Sequence, residues 1–360
     1  EVQKLHGMGD AVHEALGEIW KVPLRVYAPV GPHRDLLAYL VRRVIENGAS
    51  SSFMNQLADS AVTIDTLVSD PYTVVQDVRR PILRGDALFS PQRMNSRGFD
   101  VDNLQTLRAF AKVTADPTLP SPPKDSNSAQ IVAAFDAAQT TTWKKRPAAE
   151  RAQVLDQIAD AFERSADAFD QLIVHEAGKT VADAAGELRE SADFCRSYAA
   201  QVRALDAASQ ARGTVVAISP WNFPLAIFTG QILAALGAGN AVLAKPAEQT
   251  PRIAALAVAL MYQAGVPQDA LHLVCGDGES VGADLTGAGR ADLVVFTGSN
   301  ETAKAIESAI AHSAKPHALL IAETGGLNAM VVDSSALLER AVDDVLASAF
   351  QSAGQRCSAL

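Results

Sequence analysis

The chain has 360 residues, of which 48% are hydrophobic and 20% are charged, and its formal net charge is −10. At roughly 150 residues per domain, this length allows two or three globular domains. The acidic balance argues against a nucleic-acid-binding protein, because such a surface needs a basic patch.

The three cysteines, Cys195, Cys275 and Cys357, show neither CxxC nor Cys/His spacing, so no metal site is predicted. Isolated cysteines fit a reducing compartment. The sequence contains no apolar stretch of about 18 residues, so no membrane span is predicted. The chain starts without Met and stops three residues after Cys357, and we expect it to be a segment of a longer enzyme, cut within domains at both ends.

The first predicted elements form a strand–turn–helix unit. Val22–Val30 predicts a short buried strand closed by Gly31-Pro32, and His33–Asn47 follows with helical spacing. Gly48 is the expected C-cap of that helix. Such a unit is typical of a β/α array.

A proline-rich segment follows, from Ala61 to Asp125. It has prolines at positions 71, 81, 91 and 117 and then a Pro-Ser-Pro-Pro run. This density predicts a connector with short helices rather than a core unit, and we place the domain boundary there.

The rest of the chain predicts helices and then alternating strands and helices. Ala-rich amphipathic helices are expected at Asn127–Thr142, Pro147–His175 and Ala182–Val202. The predicted strands are Val215–Ile218, Ala241–Lys245, Leu271–Val274, Leu293–Phe296 and Ala318–Glu323. The helices between and after them are Leu225–Leu236, Arg252–Ala264, Ser280–Leu285 and Glu301–His312. This alternation indicates a parallel, doubly wound sheet, in which ligands bind beyond the carboxyl ends of the strands.

Three side chains near these strand ends or the chain end are candidate catalytic groups. Cys357 follows Gly-Gln-Arg and is the candidate nucleophile, because a thiol can form a thioester that water then releases; the alternative is a buried structural cysteine. The Asn222 amide, after Ser-Pro-Trp, can stabilise an alkoxide, or it can simply form a turn beside two prolines. Glu323 can activate water, or it can be an exposed charge at a strand end.

Other strand ends carry groups suited to a dinucleotide. Lys245 and Glu248 can bind the two ribose hydroxyls of an adenosine, and Glu248 would repel a 2′-phosphate, which favours NAD over NADP. In Phe296-Thr-Gly-Ser299, Gly298 lets the backbone approach a phosphate, although Ser299 is also a good N-cap. Gly276-Asp-Gly278-Glu-Ser-Val-Gly282 has GxGxxxG spacing and is interpreted mainly as a turn.

In order and spacing, these motifs resemble the aldehyde dehydrogenase superfamily from about Ala129 to the end. Lys245 lies 23 residues after Asn222, and Cys357 lies 34 residues after Glu323, as in that family. The resemblance implies that Cys357 is the nucleophile, Asn222 the oxyanion amide and Glu323 the general base. Glu323-Thr-Gly-Gly resembles the branch that oxidises glutamate semialdehyde, which Phe223 would contact. The resemblance also implies NAD, bound by Ile218, Ser219, Pro220, Trp221, Lys245, Glu248, Gly278, Phe296, Thr297, Gly298, Ser299, Thr324 and Gly325.

One face of the helix at His33–Asn47 is a second candidate site. Tyr39, Arg42, Arg43 and Glu46 lie at i, i+3, i+4 and i+7, which places them on one face. Two adjacent arginines can bind a carboxylate with two hydrogen bonds. The alternative is a solvated basic turn.

Residues 1–58 resemble the last two β/α units of the proline dehydrogenase barrel. This resemblance implies that Arg42 and Arg43 hold the carboxylate of proline and that Tyr39 packs on its ring. It further implies that Tyr27 and Leu5 line that pocket and that Glu46 lies near FAD. Such a pocket would lie at the carboxyl ends of barrel strands.

The order of the two parts resembles the bacterial proline utilisation A family. The expected fold is α/β: the end of a (β/α)8 barrel at 1–60, a connector at 61–125, a Rossmann-like NAD-binding domain at 126–325 and the start of a catalytic domain at 326–360. The implied function is oxidation of proline to pyrroline-5-carboxylate with FAD, followed by oxidation of glutamate γ-semialdehyde to glutamate with NAD.

The same resemblance implies a cytoplasmic bacterial homo-oligomer that acts on small molecules and binds no nucleic acid through this segment. Two sites in series on one chain also motivate the hypothesis that the intermediate passes through an internal cavity. Peripheral contact of the full enzyme with a membrane and its quinone, when the flavin is reduced, is a further expectation from the resemblance. Two alternatives stay open: an aldehyde dehydrogenase of other specificity with a non-catalytic barrel scaffold, and a DNA-binding regulator acting through another part of the protein.

Overall fold

The computed structural model describes residues 2–6, 8–48, 53–70, 72, 85–100, 102–115, 119–206 and 208–360. The chain divides into two compact units, residues 1–82 and 83–360. Much of the predicted connector, including residues 73–84, lies outside the described residues, and so do the side chains of residues 46–50.

The first unit contains two β/α repeats. Strands β1 (Val2–Leu5) and β2 (Leu24–Tyr27) pair in parallel, with Leu5 opposite Tyr27. Helix α1 (Asp10–Trp20) connects them, and α2 (His33–Gly48) follows β2. A strand and a helix lie where they were predicted, but the strand is shorter than Val22–Val30 and its side chains are exposed, so the prediction of a buried strand was wrong. Gly48 is the last residue of the helix rather than a cap beyond it. Two short helices, α3 (Phe53–Ala58) and α4 (Ile64–Leu67), complete the described part of this unit.

The second unit is built on one parallel sheet. Its strands are β3 (Thr214–Ile218), β4 (Ala241–Lys245), β5 (Leu271–Leu273), β6 (Leu293–Gly298) and β7 (Leu319–Thr324). They lie in the order β5-β4-β3-β6-β7, and every pair is parallel. All five predicted strands are therefore confirmed within one or two residues at each end.

Helices precede the sheet, connect its strands and follow it. The longer ones are α5 (Leu104–Thr114), α6 (Ser128–Thr140), α7 (Ala148–Arg164), α8 (Ala166–Glu176), α9 (Val181–Arg203), α10 (Ala226–Gly237), α11 (Pro251–Gln263), α13 (Asn300–Ala311) and α14 (Leu338–Phe350). A short helix, α12 (Ala283–Gly287), follows a π-helical turn at Gly278–Gly282.

Two hydrophobic clusters cover opposite faces of the sheet. Along β3, Val215 and Ala217 belong to the larger cluster with helices α7 to α11, whereas Val216 belongs to the smaller one with α6 and α13. Because neighbouring side chains in a strand point to opposite faces, this division shows that both faces are buried. The sheet is therefore doubly wound, as predicted.

The predicted helix at Pro147–His175 is two helices. Ser165 separates α7 from α8 with backbone angles of φ −99° and ψ 21°. The amide of Ser165 bonds back to the carbonyls of Ala161 and Phe162, which ends the first helix. Phe162 and Phe169 then meet edge to face across the break, at 5.1 Å between ring centres. Continuous hydrophobic spacing concealed this break, so the prediction of one helix was wrong.

A carboxyl in α8 is buried without full hydrogen bonding. The Asp170 side chain is 1% exposed, and its Oδ1 has no hydrogen-bond partner among the described residues. Burial, and to a lesser extent the nearby Asp167 carboxylate, raise the pKa of Asp170 to about 7. Asp170 is therefore neutral in the folded chain under mildly acidic conditions, where an unfolded chain would ionise it.

Replacing Asp170 with Asn is expected to remove this pH dependence. Since the folded pKa exceeds the unfolded value, the stability from a neutral Asp170 is present at low pH and is lost as the pH rises through about 7. Between pH 5 and pH 8 the free energy of unfolding of the parent should fall by about 2 kcal/mol more than that of Asp170→Asn. Chemical unfolding of both proteins at the two pH values measures this, and parallel losses would contradict it.

Candidate functional site

A cavity of about 680 Å³ lies at the carboxyl ends of β3 and β6. From β3 the chain adds β4 and β5 toward one edge of the sheet, and it then returns to add β6 and β7 toward the other edge. The strand order therefore reverses between the neighbouring strands β3 and β6. Open α/β sheets bind ligands at such a point. The cavity is lined by all three predicted catalytic residues and by all predicted NAD-binding residues: Ile218, Ser219, Pro220, Trp221, Asn222, Lys245, Glu248, Gly278, Phe296, Thr297, Gly298, Ser299, Glu323, Thr324, Gly325 and Cys357.

Asn222 lies in the loop between β3 and α10. Its Nδ2 donates a hydrogen bond of 2.9 Å to the carbonyl oxygen of Gln355, two residues before Cys357. The structure thus joins the two distant segments that the sequence predicted to meet. A carboxamide nitrogen carries two hydrogens, so this bond leaves one N–H for an oxyanion.

Cys357 is exposed to the cavity, whereas Cys195 and Cys275 are buried. Its backbone is fixed by Asn328, whose Nδ2 donates to the carbonyl oxygens of Cys357 at 2.6 Å and Ala359 at 2.9 Å. The backbone of Gly326 packs directly against this segment, and a Cβ at Gly326 would overlap the carbonyl oxygen of Cys357. Glycine is therefore required there by close approach.

The segment before Cys357 has an unusual backbone. Ser352 and Ala353, which follow α14, adopt φ angles of 52° and 54°. Non-glycine residues rarely adopt this left-handed region, and such conformations cluster at functional sites. Arg356 stabilises the turn by donating to the carbonyls of Ala347 at 2.8 Å and Ser348 at 2.7 Å, which are carbonyls of the last turns of α14. Neither Asn328 nor Arg356 was predicted as a site residue from the sequence. The signal available for Asn328 was its position shortly after Glu323-Thr-Gly-Gly.

Glu323 lies near the end of β7, with Thr297 of β6 as its neighbour in register. Its side chain is exposed and lines the same cavity as Cys357 and Asn222. The cavity therefore contains a thiol, a carboxamide and a carboxylate, which is the set needed to form and hydrolyse a thioester.

Lys245 and Glu248 lie at the carboxyl end of β4. The Lys245 side chain is 3% exposed, and its Nζ lies 3.7 Å from the Glu248 carboxylate and 3.2 Å from the carbonyl oxygen of Pro246. Burial lowers the pKa of the Lys245 ammonium, and the Glu248 carboxylate opposes that change. Glu248 is half-exposed, so the pair presents a donor and an acceptor side by side.

A second cavity of about 750 Å³ shares Lys245, Glu248 and Gly278 with the first. It extends as a slot between the π-helical turn and α13. Part of its lining is small and apolar, formed by Gly282, Ala283, Ala305, Ile306 and Ala309, and part is polar, formed by Asp277, Glu279, Thr286, Glu301 and Thr302. The flat faces of an aromatic base such as adenine can pack on the small apolar residues of this slot, beside the two groups suited to its ribose. The slot was not predicted from the sequence. The signal available for it was the pair of small residues Ala305 and Ala309, which lie four residues apart on one face of α13.

The segment Gly276–Gly282 forms a turn, as predicted, and Gly278 and Gly282 also line the cavities. Gly276 has φ 141°, and a Cβ there would overlap the Val281 side chain. Asp277 accepts a hydrogen bond from the amide of Ser280 and begins the π-helical turn. Ser299 likewise caps α13 through the amide of Thr302 while it also lines the first cavity.

Phe223 is placed differently from the other predicted site residues. It does not line the first cavity. Its ring instead lies under Lys179, with 4.3 Å between the ammonium nitrogen and the ring centre. Lys179 lines an adjoining cavity of about 510 Å³ together with Trp221 and Asn222.

In the first unit the predicted residues form two contacts. Leu5 and Tyr27 are partners at the carboxyl ends of β1 and β2. The Arg43 guanidinium lies over the Tyr39 ring, at 5.2 Å from its centre. Arg42 is exposed, and the side chain of Glu46 lies outside the described residues.

Two features are absent from the described residues. Within them, no three His, Cys, Asp or Glu side chains are grouped as metal ligands. No helix in the same part of the chain has the length and apolarity to cross a membrane.

Comparisons with known proteins agree with this geometry. The sequence profile of the aldehyde dehydrogenase family matches residues 112–360, and that of proline dehydrogenase matches residues 1–56. The bifunctional protein PutA of Escherichia coli is 44% identical over 416 residues, which is 100% of this chain and 31% of that protein. The chain thus spans about a third of the length of the curated relatives that it matches first.

Solved structures show the same relationship. A crystal structure of bifunctional proline utilization A matches with a TM-score of 0.83 and 48% identity, over 100% of this chain and 39% of that one. A 1-pyrroline-5-carboxylate dehydrogenase from Thermus with bound NAD matches with a TM-score of 0.65 and 28% identity, over 73% of this chain and 62% of that one. Because the family profile covers residues 112–360, the chain belongs to the aldehyde dehydrogenase family.

Proposed function

We propose that this chain is the central part of a bifunctional enzyme of proline catabolism. The enzyme oxidises proline to pyrroline-5-carboxylate with FAD, and it oxidises the hydrolysed form, glutamate γ-semialdehyde, to glutamate with NAD. The observation that supports the second activity is one cavity lined by Cys357, Asn222 and Glu323 together with Lys245 and Glu248 at the end of β4. The whole-chain similarity to bifunctional PutA proteins supports the combination.

The proposed domains follow the two similarities. Residues 1–60 are the end of a proline dehydrogenase barrel, 61–125 a connector, 126–325 the NAD-binding domain and 326–360 the start of the catalytic domain. The parallel β1–β2 pair supports the barrel assignment. The boundary between the two compact units, after residue 82, falls inside the proposed connector.

In the proposed aldehyde oxidation, the Cys357 thiolate attacks the aldehyde carbon. The Asn222 amide donates its available N–H to the oxygen that becomes negatively charged, which stabilises the tetrahedral adduct. NAD bound by the strand-end residues would supply the acceptor for the hydride of this carbon. Glu323 then removes a proton from water, the water attacks the thioester, and glutamate leaves with the Cys357 thiol restored.

The residues of the cavities fit NAD. Lys245 and Glu248 would bind the adenosine ribose, and the small residues of the second cavity would enclose the adenine. The backbone of the Phe296–Ser299 turn would approach the phosphates at the start of α13, where a helix N-terminus favours negative charge.

Glu248→Ala is expected to weaken the preference for NAD over NADP. The carboxylate accepts a hydrogen bond from a ribose hydroxyl in NAD and repels a 2′-phosphate in NADP. The ratio of kcat/KM for the two cofactors should fall about tenfold or more. Steady-state kinetics of the full-length enzyme with each cofactor measures this, and Glu307→Ala, an exposed carboxylate of α13 that lines neither cavity, is the control for a general loss of negative charge. An unchanged ratio would remove Glu248 from the cofactor site.

Arg42→Met is expected to raise the KM for proline about tenfold, since it removes a charge-assisted hydrogen bond to the substrate carboxylate. Proline-dependent dye reduction by the full-length enzyme measures this. Arg34→Met, an exposed arginine near the start of the same helix, is the matched control and should leave the KM unchanged. An unaltered KM in Arg42→Met would indicate a solvated basic turn. No dye reduction in the parent would instead favour an aldehyde dehydrogenase with a scaffold barrel.

A further inference from the structure

A buried ion pair lies beside the loop that carries Asn222 but outside the cavity that contains Cys357. Lys179 follows α8, and Glu187 lies in the second turn of α9. The Lys179 Nζ is 2.6 Å from Glu187 Oε1, and the two side chains are 8% and 2% exposed. The contact is an ion pair rather than an aligned hydrogen bond.

The second oxygen of Glu187 binds the start of α10. Oε2 accepts hydrogen bonds from the backbone N–H groups of Leu225 at 3.0 Å and Ala226 at 3.1 Å. These amides begin the helix four residues after Asn222, and a helix N-terminus attracts a carboxylate. Glu187 therefore fixes the chain on the carboxyl side of Asn222.

Lys179 fixes the residue directly after Asn222. Its ammonium lies 4.3 Å from the centre of the Phe223 ring, which is a cation–π contact in a buried setting. The one ion pair therefore contacts positions 223, 225 and 226, while the Asn222 side chain is held from the other direction by the Gln355 carbonyl. The orientation of the Asn222 amide therefore depends on two sets of contacts: those of the ion pair with residues 223–226 and the hydrogen bond to the Gln355 carbonyl.

We propose that Lys179 and Glu187 are positioning residues that hold the Asn222 amide where the aldehyde oxygen becomes negatively charged. The proposal rests on the thioester mechanism described above. An oxyanion donor acts only within hydrogen-bonding distance of the developing charge, and a displacement of about 1 Å can reduce the rate about 100-fold. Neither residue lines the cavity that contains Cys357, and their effect is proposed to pass through residues 223–226.

The same region contains a matched comparison. Glu176, also 2% exposed, accepts hydrogen bonds from the N–H groups of Arg252 at 3.0 Å and Ile253 at 2.9 Å at the start of α11, and it pairs with the Arg252 guanidinium at 3.2 Å. The Glu176–Arg252 pair has the same chemistry as the Lys179–Glu187 pair. However, it binds the start of α11, which follows the loop after Lys245, and not the start of α10, which follows the loop that carries Asn222. A purely structural role predicts equal consequences for the two pairs.

The test compares two double variants of the full-length enzyme, Lys179→Met with Glu187→Gln and Arg252→Met with Glu176→Gln. Each removes both charges together, so neither leaves a single charge unpaired, and Gln keeps an acceptor for the helix amides. We expect the first variant to lower the kcat of semialdehyde oxidation about 10- to 100-fold while the KM for NAD stays within about twofold. The second should keep kcat within about twofold of the parent at a similar thermal stability.

Alkylation of Cys357 by iodoacetamide separates positioning of the amide from collapse of the site. Substitution at the iodoacetamide carbon develops no oxyanion, so the alkylation rate of the first variant should stay within about twofold of the parent. An unchanged kcat, an equal fall in both double variants, or a loss of alkylation that matches the loss of turnover would each overturn the proposal. A parent enzyme without semialdehyde oxidation would overturn the proposed function instead.

Discussion

Replacement of Cys357 by alanine is expected to abolish semialdehyde oxidation and to leave proline oxidation unchanged in the full-length enzyme. The thiol is the only nucleophile proposed for the aldehyde carbon, and loss of a covalent nucleophile typically costs several orders of magnitude in kcat, on the order of 10⁴-fold or more. Because Cys357 is exposed in the cavity, the smaller side chain should not disturb packing. Semialdehyde-dependent NADH formation measures the loss.

Two controls make this result specific. Proline-dependent dye reduction by Cys357→Ala should equal that of the parent, which shows that the protein is folded. Cys275→Ala, a change at a buried cysteine outside the cavity lining, should retain aldehyde oxidation. NADH formation by Cys357→Ala at the parental rate would exclude the thioester mechanism.

Gly326→Ala is expected to have the second-largest effect, although the residue takes no part in the chemistry. The added Cβ would overlap the carbonyl oxygen of Cys357 and approach the Asn328 amide that binds this oxygen. Because the obstacle is backbone, the Cys357 segment must move. We expect kcat for semialdehyde oxidation to fall about 100-fold.

Gly186→Ala is the control for adding a methyl group at a glycine. Gly186 lies within α9, and a Cβ there would meet no atom within 4 Å apart from its chain neighbours and the backbone of its own helix. This change should leave kcat unaltered and stabilise the protein by about 0.5–1 kcal/mol, through higher helix propensity. Full activity in Gly326→Ala would contradict the close contact between the backbone of Gly326 and the carbonyl oxygen of Cys357.

The central strands β3 and β4 could be predicted from the sequence because they are buried on both faces. Runs such as Ala241–Lys245, which lie between turn residues and helices of regular length, have few other interpretations. The strand-end positions of Asn222, Lys245 and Glu323 followed from the same pattern. Their convergence followed from the rule that parallel strands end at one edge of the sheet.

Elements that depend on tertiary contacts could not be predicted in the same way. The break at Ser165 is set by packing of Phe162 on Phe169, while the hydrophobic spacing runs on without interruption. Helix α14 at Leu338–Phe350 was not predicted, and its side chains are not buried. Hydrophobic spacing alone therefore did not fix every helix of the chain.

The details of the site were the least predictable part. The Asn222–Gln355 bond joins residues that are 133 positions apart, and the Lys179–Glu187 pair acts through backbone amides that carry no sequence signature. The Asn328 and Arg356 contacts are of the same kind, since they bind carbonyl oxygens. A motif indicates which groups react, whereas contacts of these kinds determine where they lie.

Mass spectrometry of a trapped acyl-enzyme tests the central claim most directly. The full-length Glu323→Gln variant, which should form the thioester but hydrolyse it slowly, is mixed with NAD and isotope-labelled semialdehyde, quenched in acid and digested. The account predicts one equivalent of label on the peptide that contains Cys357, together with one equivalent of NADH formed in a burst. Label on another residue, or a burst of NADH without any label on Cys357, would contradict it.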